Sequence, residues 1–541
     1  MKQEPKGYVS FVLHAHLPFV HHPESKDYLE EQWLFEAISE TYIPLLQRFQ
    51  KLVDNKVDFR FTMSLTPPLL NMLDNKLLQD RYIEYLEQHI ELSRKEIERT
   101  KDAPRTNKLA HYYFDRYSND LKFFRDEYNC NLINAFKKFN DLGFLEIIGC
   151  GATHGYFPIL YLNEKTVRAQ IAIGVNSYKK YFDKPLKGFW LPECGYVPEA
   201  DKYLKEFGVK YVLVETHGVL YANPSPLYGT YAPIISENGI IAFGRDQESS
   251  RQVWSSVSGY PGDPNYREFY HDIGYEAPYD YIKPYIAANG VRVSTGIKYH
   301  RITGKTEQKD IYDLQWAQDS INMQSGHFFD CRNKQINELA KITKNPPIIM
   351  CPYDAELYGH WWYEGPDFLY TLAKKIFYDK CDFKLITPGE YIEKYPEMQL
   401  ANPCRSSWGA KGYSYVWLNP SNDYIHRHLH KAGDRMCDLA EMYPNEAKYS
   451  IKRRILNQCA RELVLAQSSD WLFIITHGTM VDYAKKRVKD HIGRFTKFYL
   501  WLTEDEDLIK NNRLSEDKEI FLKQVEEKDP IFPEIDYMVY N

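Results

Sequence analysis

What most constrains this chain is a recurrence of short, nearly continuous apolar runs that stop at polar residues and are separated by longer amphipathic stretches. The runs "YVSFVLH" ending at His14, "DFRFTMS" at Ser64, "FLEIIGC" at Cys150, "YVLVET" at Thr216 and "PIIMCPYD" at Asp354 are rich in β-branched and aromatic residues, as strands covered on both faces are. Between them, Gln79–Lys101, Glu164–Tyr181 and Lys309–Lys344 carry apolar residues at helical spacing. Strands alternating with helices are the pattern of an α/β fold with a mainly parallel sheet. In barrels of parallel strands, chemistry collects at the C-terminal strand ends, where loops hold polar groups over a packed interior. Here those ends read His14-Ala15-His16, Thr153-His154, Pro192-Glu193, Glu215-Thr216-His217 and Asp354-Ala355-Glu356. One histidine after a strand is ordinarily a satisfied structural residue. The repetition points to an active site.

The rest of the chain follows a different rhythm. From about 198 to 285 it loosens into Gly, Pro, Tyr and Asp, as in "YANPSPLYGTYAP" and "GYPGDPNYREFYHDIGYEAPYDYIKPY", the mark of functional loops or a small subdomain. After Glu390 no further strands are expected, and Asn419–Met442, Asn445–Gln467 and Thr479–Trp501 read as helices of a bundle. A net charge of −6 gives no basic field for a phosphate backbone, so nucleic acid is excluded as the main partner. No apolar stretch approaches the roughly 20 residues that span a bilayer. The start "MKQEPKGYVSFVLHAHLPF" carries no export pattern, and nine cysteines without C-x-x-C spacing suit a reducing cytoplasm.

Two readings of the polar strand ends compete. In one, His14, His16 and His154 ligate a metal that Asp354 completes, since His-x-His puts both rings on one face of a strand. In the other, two carboxylates do acid/base and nucleophilic work while the histidines bind sugar hydroxyls. Aromatic residues make up 15% of the chain, with 44 tyrosines, and pyranose faces stack on such rings, which favours the second reading. "GCGATHG" at 149–155 has its third glycine one position late for a dinucleotide fingerprint, and Cys194 reads as a small core residue.

Taken together, "HAHLPFV" at 14–20, "GCGATHGYFP" at 149–158, "GFWLPECGY" at 188–196 and "PYDAELYGHWWYEGP" at 352–366 resemble, in order, the sequence blocks of glycoside hydrolase family 57. "SSWGAKGYSYVWLN" at 406–419 and "LVLAQSSDWLF" at 463–473 resemble its branching-enzyme branch, with departures from the family pattern at Ala410 and at Lys411, where glycine is expected. The resemblance implies a distorted (β/α)7 barrel over 1–395 with a small inserted subdomain at about 198–285, and a C-terminal α-helical domain over 396–541 that contributes to the cleft. It implies Glu193 as nucleophile and Asp354 as general acid/base of a retaining reaction on α-1,4-glucans such as amylose, amylopectin and glycogen, with no cofactor and no metal. His14, His16 and His154 are then expected to bind hydroxyls beside Glu193. Asp470, on an expected loop, His300, Arg267 and Trp362 are further substrate-binding candidates, and Trp408 and Trp417 are either glucan platforms or interface packing. The expected activity is α-1,6 branching, ahead of an α-amylase or 4-α-glucanotransferase, and more distantly a metal-dependent polysaccharide deacetylase. A monomer or small homo-oligomer is expected.

Overall fold

The computed structural model describes residues 4–26, 29–255, 258–286 and 290–541. Among these, the strands are β1 (Gly7–Ala15), β2 (Phe61–Leu65), β3 (Leu145–Cys150), β4 (Gly188–Trp190), β5 (Tyr211–Val214), β6 (Ile234–Ile235), β7 (Ile241–Gly244), β8 (Ile348–Asp354), β9 (Phe383–Leu385) and β10 (Gln399–Leu400). The chain divides into two compact units: 1–63, 72–146 and 246–391 form the first, and 64–71, 147–245 and 392–541 the second. The division therefore falls at Arg245/Asp246 within the 198–285 span, and the helices beyond 392 cluster with β4, β5 and β7.

In the first unit β1 runs parallel to β8, in register from Tyr8↔Ile348 to His14↔Asp354, and parallel to β9. Every residue of β1 is buried, as its unbroken apolar run requires. Phe11 meets Phe61 and Phe328 at ring-centroid distances of 5.8 and 5.7 Å, and Phe49 stacks on Phe61 at 5.3 Å. Fully burying such a ring is worth about 1.5–3 kcal/mol, so a good part of the aromatic surplus is core. The helix Leu314–Leu339 starts where Asp313 accepts hydrogen bonds from the amides of Gln315 and Trp316, a cap worth about 1 kcal/mol.

In the second unit β3, β4, β5 and β7 run parallel in that order, and the short β6 pairs antiparallel with β7. β10 pairs with β6, so the strands do not end at Glu390 as the sequence pattern suggests; a two-residue strand is too short to show a period. The helix Glu164–Tyr181, capped by Asn163, lies close on β3, where a side chain at Gly174 would stand 2.0 Å from the carbonyl oxygen of Cys150. The helices Asp423–Met442, Ile451–Ala466 and Val481–Glu504 form where periodicity puts them. Among the described residues no helix is long and apolar enough to cross a membrane.

Candidate active site

Glu193 follows β4 in a single tight turn, Pro192–Cys194, with φ = 61° at Glu193 and 49° at Cys194. Left-handed backbone at two consecutive non-glycine residues costs on the order of 1–3 kcal/mol each and persists only where surrounding contacts impose it. Those contacts are present: the amides of Cys194 and Gly195 bond back to Leu191 and Pro192 (2.8 and 2.9 Å), and the Tyr196 amide bonds to the Ser406 carbonyl (2.9 Å). The turn presents a carboxylate that is 8% exposed, buried yet reachable.

Two donors from distant sequence hold it. The Trp408 indole Nε1 donates to Oε2 at 2.6 Å, and the Ser469 hydroxyl donates to Oε1 at 2.9 Å. The Trp408 amide also bonds to the Glu193 carbonyl at 3.0 Å, and its ring packs edge-on against Trp190 at 5.2 Å. His154 places Nδ1 2.8 Å from Ser469 Oγ and 3.6 Å from Glu193 Oε1. It too has a left-handed backbone, φ = 62°, in a loop that Gln170 anchors through the amides of Ala152 and Thr153. Of the residues expected from sequence, the second unit thus brings together Glu193, His154 and Trp408.

Two expectations in this unit change. Trp417 is 1% exposed and stacks on Tyr156 at 4.6 Å, inside a cluster with Ile425, Leu429, Trp471 and Ile475. Its faces are covered, so it is packing rather than a glucan platform. Asp470 lies not on a loop but in the first turn of the helix Ser469–His477, bonded by the Ser468 hydroxyl. The 406–419 loop explains the departure at Lys411: its φ is 66°, between Gly409 at 84° and Gly412 at 72°, a conformation glycine adopts without strain. Lys411 instead lays its ammonium over the Tyr415 ring at 3.6 Å.

In the first unit Asp354, half-buried, ends β8 directly beside His14. His14 stacks on His16 at 5.6 Å, and burial, aided by the neighbouring His16, holds its imidazole well below the usual range, hence neutral at pH 7. The His16 amide donates to Glu356 Oε1 at 3.1 Å, and the Tyr42 hydroxyl donates to the same oxygen. Burial pushes the Glu356 carboxyl up to about 7. Trp362 is 1% exposed beneath Tyr260, Tyr266 and Phe368 and has no free face; its neighbour Trp361 is 56% exposed and stacks on Phe269 at 4.6 Å. Arg267 is also structural: buried, it pairs with Glu40 at 2.8 Å and lies over the Tyr363 ring at 3.6 Å. Burial pushes Glu40 upward, but Arg267 and His360 outweigh it and leave that carboxyl well below the usual range. His300 stands with His271 and Glu276, away in sequence from either carboxylate, and is lowered by burial.

That last trio has metal-ligating donor types, as does Glu462 with His491 and Asp529. In the first, His271 already bonds Glu276 directly; in the second, Arg494 supplies the positive charge at 2.5 Å from Asp529 and 3.5 Å from Glu462. The residue that sequence reasoning missed is Ser469. Asp470 is the charged member of "SSDW", and only a fold that carries residue 469 back to residue 193 reveals its neighbour's role.

A buried carboxylate with two donors at a parallel strand's end is the equipment of a glycoside hydrolase, and the sequence profile of glycosyl hydrolase family 57 matches residues 10–334. The chain belongs to this family and is an enzyme. A second profile, 1,4-alpha-glucan branching enzyme, C-terminal, matches 428–540. The 1,4-alpha-glucan branching enzyme of Thermococcus kodakarensis is 32% identical over 97% of this chain and 77% of its own length. The crystal structure of an alpha-amylase of Thermotoga maritima is 44% identical with a TM-score of 0.90, covering 99% of both chains. A family 57-type branching enzyme of Pyrococcus horikoshii is 30% identical with a TM-score of 0.87, over 99% of this chain and 97% of that one. The chain accordingly has the family's mixed α/β fold, a distorted barrel sheet with a C-terminal helical region.

Proposed function

We propose that the enzyme is a retaining 1,4-α-glucan branching enzyme. The observation that carries this reading is that Ser469, inside the segment matched by the branching-enzyme profile, donates directly to Glu193. In this reading Glu193 attacks the anomeric carbon of an α-1,4-linked glucose while Asp354 protonates the departing glycosidic oxygen. The 6-hydroxyl of an acceptor glucan then gives its proton to Asp354 and takes the sugar from Glu193, forming an α-1,6 bond. The neutral His14 suits hydroxyl recognition, and His154 offers a ring nitrogen beside Glu193. Cysteines that are all free thiols support a reducing cytoplasm.

A second reading, hydrolysis, is favoured by the 44% identity to a structure described as an alpha-amylase. Both share the glycosyl-enzyme and differ in whether water or a hydroxyl meets it. Incubation with amylose separates them: branching lowers iodine absorbance with few new reducing ends and leaves linkages that isoamylase cleaves. Stoichiometric release of reducing ends without such linkages would establish the amylase. In either case Glu193→Gln and Asp354→Asn are expected to abolish turnover with the fold intact.

A further inference from the structure

Ser469 is fully buried and fixed by its main chain: its amide bonds to the His154 carbonyl at 3.1 Å, and Ser468 bridges to Gly155. A hydroxyl has one hydrogen to give. Its two partners are the Glu193 carboxylate, which as an anion only accepts, and His154 Nδ1. The hydrogen therefore points at Glu193, and Ser469 Oγ accepts from a protonated Nδ1. This puts a hydrogen on His154 Nδ1. The relay runs His154 to Ser469 to Glu193 Oε1, with Trp408 on the other oxygen.

Resting on the reading of Glu193 as nucleophile, we infer that Ser469 is a positioning residue for the second half-reaction, stabilising Glu193 as it leaves the sugar. In the first step the carboxylate loses its charge as it becomes an ester, so a donor at its oxygens stabilises the starting state at least as much as the transition state. In the second step the bond between C1 and the Glu193 oxygen breaks and its electron pair returns to the carboxylate. The acceptor oxygen bonds to C1 and its proton goes to Asp354. Negative charge then grows on the atoms that Ser469 and Trp408 face, and preorganised donors aimed at developing charge lower that barrier. The ionisable groups of the second unit near this carboxylate include His154, Tyr156 and Cys150, and Asp470, whose carboxylate lies within 4.8 Å of a His154 ring nitrogen.

The test uses the full chain with α-maltotriosyl fluoride, whose leaving group needs no acid, so that the second step limits turnover. Ser469→Ala is expected to show a fluoride burst equal to the enzyme concentration, kcat lower by about 10–100-fold, and KM lower with it because the glycosyl-enzyme accumulates. Mass spectrometry should then find the maltotriosyl adduct on the peptide carrying Glu193. The acid limb of the kcat/KM profile should move upward, since a lost donor favours the protonated carboxyl. Ser469→Thr should restore turnover and remove the burst. If the alanine variant does not fold, Ser469→Gly removes the same hydroxyl. A variant within twofold of wild-type kcat, or one with low kcat, unchanged KM and no burst, would overturn the assignment and leave Ser469 as packing. Failure of the underlying reading looks different: Glu193→Gln would keep turning over, or the adduct would sit on another residue.

Discussion

Trp417 offers a direct test of how its neighbourhood works, because the sequence leaves two outcomes open for one substitution and its burial favours one of them. The ring is buried, stacked on Tyr156 and enclosed by the Trp471 cluster. Truncating a buried Trp to Ala costs about 3–5 kcal/mol in lost burial and residual cavity. At about 2 °C per kcal/mol for a unit of this size, the Tm falls by about 6–10 °C. Trp417→Phe should do much less harm. It keeps most of the ring and removes an indole N–H that is buried with no hydrogen-bond partner among the described residues, relieving a cost of about 1–3 kcal/mol. The assay is thermal unfolding of both variants beside product analysis on amylose at a temperature where each is folded. Core packing gives a large Tm loss for Ala, a small one for Phe, and an unchanged product distribution. An Ala variant with wild-type Tm but a shift towards reducing sugar would refute the reasoning, because only a ring contacting the acceptor behaves so.

The adjacent tryptophans should separate by burial: Trp362→Ala is expected to cost about 3–5 kcal/mol, and Trp361→Ala no more than about 0.5 kcal/mol, both measured by urea unfolding. Glu364 is buried, accepts from the Arg267 amide at 2.9 Å and the Tyr312 hydroxyl at 2.7 Å, and is pushed up to about 7 by burial. A carboxyl raised in the folded state favours folding fully below its unfolded pKa and loses that contribution as pH rises through about 7. Glu364→Gln should therefore flatten the fall in Tm between pH 5 and 8; parallel curves for wild type and variant would count against it. Arg494→Met removes from the buried Glu462 and Asp529 the cation that pairs with both, leaving Arg461 and Arg487 nearby, and is expected to cost about 3–5 kcal/mol, read as a lower urea midpoint.

The strands were legible because a strand covered on both faces needs a continuous apolar run, and β1, β3, β5 and β8 have one. The long helices were legible from their 3.6-residue period. β10, at two residues, and β6, in a Gly- and Pro-rich stretch, carry no periodic signal. The strand ends that carry His14, His154, Glu193 and Asp354 could be read off locally, since each follows its own strand within a few residues.

What surrounds those residues could not be read off locally. Trp361 and Trp362 are neighbours in a motif, yet one is 56% exposed and the other 1%, because backbone direction and the packing of Tyr260 and Phe368 decide which ring faces water. Arg267 carries the charge a sugar site would want, but Glu40 and Tyr363 claim it. The donors to Glu193 come from 215 and 276 residues further along the chain. The sequence by itself determined the longer elements, the carboxylate at the end of β4 and the family. Only the tertiary structure decided which hydroxyl and which indole hold that carboxylate, because a hydrogen bond depends on distance and direction in space, and local sequence patterns stop reporting these beyond a turn or two.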